Sequence, residues 1–265
     1  MPNIEETVHI IPLGHEIDRA IKPFENLKVD RVYILTNLQK DHPNAEMVES
    51  QRQYLEKVEK ILKKRRIDVR PITNVNLFSL RDVMKNVSRI IVEETKMNNR
   101  VFVNMSAAGR LTSVAATLAG MAHKANVYYV FADGYPTTKS AKRKHGLSIC
   151  NSNQSKTLVN FKIVMPTPIG LKILLFLCRE KKRQKAIDIL NLLKTENIEG
   201  FTELFTDVEE TRRRKLQSNQ LMKLDKTILS KLESNDYIHR EKEGRHVYFS
   251  ITESGIYIAH ISGLL

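Results

Sequence analysis

The 265-residue sequence contains only two cysteines, Cys150 and Cys178. Neither has a partner at metal-ligand or redox spacing. A disulfide framework, a thiolate metal centre and a C-x-x-C redox site are therefore excluded, and a reducing compartment is the default. No apolar run is long enough to cross a bilayer. The first residues, Met1-Pro2-Asn3-Ile4-Glu5-Glu6, are acidic and lack the apolar stretch of a signal peptide. A cytoplasmic protein without a membrane partner is the expectation. Neither the G-x-G-x-x-G nor the G-x-x-x-x-G-K-[ST] fingerprint occurs. No Ser/His/Asp order, paired carboxylates or metal-ligand cluster stands out either. Catalytic residues and metal ligands are thus expected to be absent.

Positive charge, by contrast, is abundant. The net charge is +13, which favours a polyanionic partner, nucleic acid first. Residues 166–265 hold 17 Lys and Arg against 14 Asp and Glu, and the remainder holds 26 against 16. The surplus lies mostly in the first part, so an anionic ligand there would share the cause.

Through the first part, β-branched runs alternate five times with amphipathic stretches. Thr7–Ile11, Arg31–Leu35, Ile67–Ile72, Val101–Val103 and Asn126–Ala132 read as strands. Glu16–Leu27, Asp41–Arg66, Leu77–Met97 and Leu111–Ala122 read as helices, with Pro23 a break point in the first. Pro71 weakens the third strand. The alternation predicts an α/β fold, a Rossmann-like parallel sheet with helices on both faces. Ligands of such sheets bind beyond the C-terminal strand ends, near a topological switch point. The loops gathered there carry Leu13, Gly14, His15, Asn37, Asn74, Asn76, Ser106–Arg110, Asp133 and Gly134. They are rich in neutral hydrogen-bonding groups and poor in carboxylates, which suits a phosphorylated ligand better than a metal.

Ser106-Ala107-Ala108-Gly109-Arg110 is the most informative of these loops. A strand that ends in small residues and turns into a helix offers free N–H groups to an anion, and Arg110 adds a fork for phosphate. Two roles remain open at this level: an anion site, or a tight packing turn with Ser106 as helix N-cap.

After Thr137–Lys144, read as a basic loop, and a last strand over Leu158–Met165, Pro166 and Pro168 mark a domain boundary. Beyond it come short amphipathic helices at Ile169–Cys178 and Lys185–Lys194. A helix over Ser218–Leu232 follows, with Leu221, Leu224, Ile228 and Leu232 as its inner stripe. A hairpin spans Asp236–Ile251 with a Gly-containing turn, and a final helix spans Thr252–Ile261, with Thr252 as N-cap. Leu221 to Gly255 resembles the winged helix-turn-helix family, with its run of recognition helix, wing and Thr-x-x-Gly. An α+β winged helix-turn-helix domain is expected to follow the sheet domain. The resemblance implies a helix in the major groove of double-stranded DNA, with Asn219, Gln220, Lys223, Lys226, Thr227 and Lys231 exposed to bases and phosphates, and Arg245 and His246 acting from the wing. Use of the same fold for dimerisation or protein docking stays open.

Three runs carry a resemblance of the whole chain to archaeal CRISPR-associated Rossmann-fold (CARF) regulators with a C-terminal winged helix. They are Ile10–Glu16, Asp30–Leu35 and Val103–Arg110. In that family the loops after the first and fourth strands bind the ligand, the latter commonly as Thr-Gly-Gly, a small residue and a basic one. Here Ser106, Ala107, Ala108, Gly109 and Arg110 occupy those positions, with two alanines where the family has glycines. The resemblance implies residues 1–155 as a ligand-sensing domain, 156–168 as a linker and 169–265 as the DNA-binding domain. It further implies a homodimer that senses a cyclic oligoadenylate, cyclic tetra-adenylate first, as an effector rather than a cofactor, and acts at CRISPR-related promoters. A ring nuclease that cleaves the same ligand, and a regulator that senses another nucleotide, are the alternatives.

Overall fold

A computed structural model describes residues 5–39, 45–150, 154–160, 163–202, 210–244 and 246–265. The chain forms two compact units, residues 1–163 with 260–263, and residues 164–259 with 264–265.

The first unit is built on strands β1 (Thr7–Pro12), β2 (Arg31–Leu35), β3 (Asp68–Ile72), β4 (Arg100–Asn104), β5 (Asn126–Val130) and β6 (Ser155–Thr157). They form one sheet in the order β3-β2-β1-β4-β5-β6. The first five strands are parallel and β6 runs antiparallel to β5. β1 is buried along its whole length, as a continuous apolar run in a covered parallel sheet requires. Pro71 is accommodated because β3 is an edge strand, where a missing N–H costs no ladder bond. Successive strands are added outward in opposite directions from β1 and from β4, so the switch point lies between those two strands.

Helices α1 (Asp18–Ile21), α2 (Ala45–Lys64), α3 (Leu80–Lys96), α4 (Arg110–Ala122) and α5 (Lys139–His145) connect the strands. The expected 16–27 helix is cut to one turn of α-helix and a 3-10 turn at Lys22–Glu25, with Pro23 at its start. The start of the 41–66 helix, residues 41–44, lies outside the described residues. Leu55, Val58 and Leu62 of α2 pack under the sheet with Ile11, Val32 and Ile34. Ser79 caps α3 by accepting a bond from Asp82 N at 3.2 Å.

Two expectations need correction. Thr137–Lys144 is not a loop: Thr138 caps α5 through Ala141 N at 3.2 Å, and the run's charge hid its helical spacing. Among the described residues the last strand of the sheet is Ser155–Thr157, antiparallel and exposed; of the expected Leu158–Met165 strand, residues 161–162 lie outside the described residues and the others are not in a strand.

The second unit holds α6 (Pro168–Glu180), β7 (Gln184–Lys185), α7 (Ala186–Thr195), α8 (Glu210–Leu224), α9 (Ser230–Ser234), β8 (Ile238–Glu243), β9 (His246–Ile251) and α10 (Glu253–Ile261). Its three-stranded sheet has the order β7-β9-β8. Leu174, Leu190, Leu193, Leu224, Ile228, Leu232 and Phe249 share one core. α8 continues through a π-helical stretch at Asp225–Leu229 into α9. Thr252 accepts from Gly255 N at 3.0 Å and so caps α10. This is the arrangement of a winged helix, with β8 and β9 as the wing. Among the described residues, no helix is long and apolar enough to cross a membrane.

Candidate functional site

The turns after β1 and β4 meet at the switch point. Gly14 N donates to Ala107 O at 2.8 Å. A Cβ on Gly14 would lie 3.3 Å from Ala108 Cα, so the two turns pack backbone against backbone. Asn104 shapes the second turn. Its Oδ1 accepts from Ser106 N at 2.9 Å and from Ser106 Oγ at 2.7 Å, a side chain standing in for backbone as in an Asx turn.

A cavity of about 340 Å³ opens above these turns. Gly14, His15, Asn37, Ala108, Gly109 and Arg110 line it, as do Glu16, Val48, Gln51, Leu77, Phe78, Leu111, Thr112 and Leu147. Gly109 is the N-cap of α4 and has no capping side chain, so the first-turn amides stay available to an anion. Arg110 is exposed at the rim.

The remaining expected ligand residues are placed elsewhere. Leu13 is fully buried. Ser106 is not the N-cap and does not line the cavity. It is 2% exposed, and its hydroxyl donates to Asn104 and accepts from Val130 N at 3.0 Å. Ala107 is buried in the core behind the turn. Asn74 pairs with Asn37 outside the cavity. Asn76 serves α3, its N–H donating to Asp82 at 2.6 Å and its Oδ1 accepting from Phe78 N at 3.0 Å. Asp133 and Gly134 pair with Ile149, one strand away from the switch point.

Sequence reasoning missed the segment that walls the cavity on its other side. Residues 145–150 lie along residues 15–18. Ile17 N donates to His145 O at 3.2 Å, and Leu147 N donates to His15 O at 3.0 Å. Asp18 Oδ2 accepts from Cys150 N at 3.1 Å and faces His145 Nδ1 at 2.8 Å. Gly146, at φ +85°, makes this approach possible, because a Cβ there would fall 2.5 Å from Ile17 N. At the Glu16 side of the cavity, Ser148 Oγ donates to Glu16 Oε1 at 2.8 Å. Burial pushes the Glu16 carboxyl above its usual range, against the pull of Ser148 and Arg19. Burial also holds the His15 imidazole below its ordinary value. The His15 ring stacks on Tyr54 with centroids 4.9 Å apart. Gln51 donates to the carbonyls of Leu13 and Gly14, so α2 fixes the β1 turn.

In the second unit, Asn219, Lys223, Lys226, Thr227 and Lys231 are exposed on the long helix, and His246 is exposed on the wing. Arg245 lies outside the described residues. Gln220 is a correction. It stands four residues before Leu224, on the buried stripe, and is 6% exposed. Lys223 is committed within the unit, donating to Gly200 O at 3.3 Å with its ammonium 5.3 Å from the Phe201 ring. Thr227 Oγ1 donates to Lys223 O at 2.7 Å. Of the other cations expected on this helix, Lys226 and Lys231 are exposed. Arg240 braces that helix from β8, reaching Asp225 at 2.6 Å and Glu233 at 2.8 Å.

Residues 7–135 match the family model described as "HFX_2341_N:-like, N-terminal". Residues 169–263 match that of the DUF6293 C-terminal winged helix domain. The two matches follow one another along the chain. That pairing is the one implied by the resemblance to CARF regulators with a C-terminal winged helix. No curated protein matches the chain. Among solved structures, Enterococcus italicus Csm6 bound to cyclic hexa-2′-fluoro-hexa-dAMP is 12% identical, with a TM-score of 0.41, over 86% of this chain and 56% of that one. Can2 from Sulfobacillus thermosulfidooxidans in complex with cyclic tetra-adenylate is 10% identical, with a TM-score of 0.40, over 96% and 62%. Protein VC1899 from Vibrio cholerae is 14% identical, with a TM-score of 0.40, over 96% and 64%. The chain thus spans less than two thirds of the length of these structures. At such scores the fold assignment rests on the strand order itself.

Proposed function

We propose that the protein is a ligand-responsive DNA-binding regulator whose sheet domain receives a cyclic oligoadenylate. One observation carries the reading: the uncapped start of α4, with Arg110 beside it, faces a cavity at the sheet's switch point. Such a turn favours phosphate through its free amides, the helix dipole and a fixed guanidinium. The winged helix supports DNA as the second partner, with Lys226 and Lys231 on phosphates and Asn219 near base edges.

A ring-shaped ligand with a two-fold axis calls for two copies of the site, and this supports a homodimer. Leu111 and Val114, one turn apart on α4, are 45% and 51% exposed, and Phe78 is 62% exposed. Phe78 and Leu111 line the cavity, and Val114 extends an exposed apolar surface along α4 of the kind a second protomer covers. Binding then favours one arrangement of the two protomers and alters DNA affinity. A tenfold change needs only about 1.4 kcal/mol of differential binding. We read the cavity as a receptor without turnover. Control of CRISPR-related promoters in the cytoplasm is the physiological role that follows from this reading.

Calorimetry with cyclic tetra-adenylate and cyclic hexa-adenylate on the wild type and Arg110→Ala tests the ligand. The wild type binds one ring and the variant binds it at least tenfold more weakly. Binding of neither ring, or equal binding by both proteins, removes the assignment, and a thermal-shift screen of other nucleotides then decides the ligand. Incubation with a labelled ring tests the receptor reading, and accumulation of linear product refutes it. DNA binding weakened by Lys226→Ala but not by a substitution on β3 is the outcome expected for the helix.

A further inference from the structure

Glu16 is a carboxylate in the wall of a cavity that we read as an anion site. A bare carboxylate repels phosphate, so its place there needs another explanation. It is 6% exposed, and Ser148, through its hydroxyl and its backbone, and Arg19 act on the carboxylate. Oε1 accepts from Ser148 and lies 3.8 Å from Arg19 Nη1, whereas Oε2 is buried and has no partner among the described residues. The neighbouring His15 also lines the cavity, and its Nε2 is likewise buried without a partner among the described residues. Unpartnered buried polar atoms are costly, and two on adjacent residues of one cavity wall point to a ligand that completes them. The cavity therefore has two sides of opposite character. The Gly109–Arg110 side offers donors, and the Glu16 side offers an acceptor held rigid by Ser148.

We propose that Glu16 sets the selectivity of this cavity: its free carboxyl oxygen accepts a hydrogen bond from a hydroxyl or amine of a nucleotide whose phosphate sits at Gly109 and Arg110. The inference rests on the proposed receptor role of the cavity. A site built to accept such a bond discriminates strongly against an analogue that lacks the donor, because the acceptor is then left unpaired. Two donors have this chemistry, the ribose 2′-hydroxyl and the 6-amino group of adenine.

The test is calorimetry with three rings of the same size: the cyclic oligoadenylate, its 2′-deoxy form and its inosine form. The wild type is expected to bind the parent ring at least tenfold more tightly than one of the two analogues, and that analogue identifies the donor. Glu16→Ala is expected to bind parent and analogue equally. Arg110→Ala is expected to weaken both together and keep their ratio. Glu16→Gln keeps an acceptor oxygen and the side-chain volume, so it is expected to preserve most of the preference and guards against misfolding of the alanine variant. A merely structural Glu16, tying residues 145–150 through Ser148, would change the melting temperature and leave the ratio intact. An unchanged ratio in Glu16→Ala, or a wild type that binds all three rings alike, overturns the proposal while the receptor reading survives. A wild type that binds none of the rings ends both.

Discussion

β1 carries one histidine within it and another just past its end, and the two meet opposite conditions. His9 is fully buried, with Nδ1 3.2 Å from the Tyr128 hydroxyl and Nε2 3.2 Å from Lys28 O. Phe102 stacks on its ring at 4.9 Å. Burial depresses its pKa to about 4, against the weaker pull of the Lys28 carbonyl. His15, beyond the strand's end, has one nitrogen without a partner among the described residues and a cavity beside it. Within the strand the polar core is completed, and past its end it is left incomplete, at the point where the strand order reverses. Residue type does not distinguish the two, but the partners the fold brings to each do.

The sharpest way to break the open end is Gly146→Ala. A Cβ there meets backbone atoms of His15, Glu16 and Ile17 at 2.5 to 2.8 Å, at a positive φ. A loss of about 3 kcal/mol in unfolding free energy is expected. A loss below about 1 kcal/mol would mean that residues 145–150 are not pinned as described.

The closed end predicts an acid response nearly as large. The folded protein holds His9 neutral down to about pH 4, whereas the unfolded chain protonates it near 6.5. Stability is therefore complete above pH 6.5 and falls as the pH drops toward 4, by about 3 kcal/mol from this group. Urea unfolding at pH 7 and pH 4.5 measures the loss, and histidine NMR assigns it: His9 should stay neutral at pH 5.

Arg110→Ala comes next, with about 1.5–3 kcal/mol lost in ring binding and none in stability, since its guanidinium is exposed. The smallest effect is expected at Gly134, in a turn after β5 of similar composition to the one after β1. No atom lies within 4 Å of a Cβ built there. Gly134→Ala should leave both stability and ring affinity within about 0.5 kcal/mol. A strong binding defect in that variant would move the site one strand over.

Strands were legible where β-branched runs stood between polar breaks, and Arg31–Leu35 is found as read. The winged helix was legible from the Leu224, Ile228 and Leu232 spacing and the Gly244 turn. Strand order was not, because order is decided by which faces pack, and it alone separates Gly14 from Gly134. Residues 145–150 went unread for a related reason. Ser148 and Leu147 acquire a role only by lying against a loop more than a hundred residues earlier. Ser106 and Gln220 show the same limit from the other side. Each is a polar residue in a plausible place, and in each the local geometry turns the side chain inward.

The short antiparallel strand at the end of the sheet has a mechanical consequence. Ser155 sits opposite Val130 at the C-terminal end of β5, Thr157 opposite Tyr128, and Asn160 reaches Ala125 just before β5 begins. Within six residues the polypeptide has been carried down to the opposite rim, about 16 Å away for five residues of strand. By Asn160 the chain therefore stands at the edge of the sheet opposite the β1 and β4 turns.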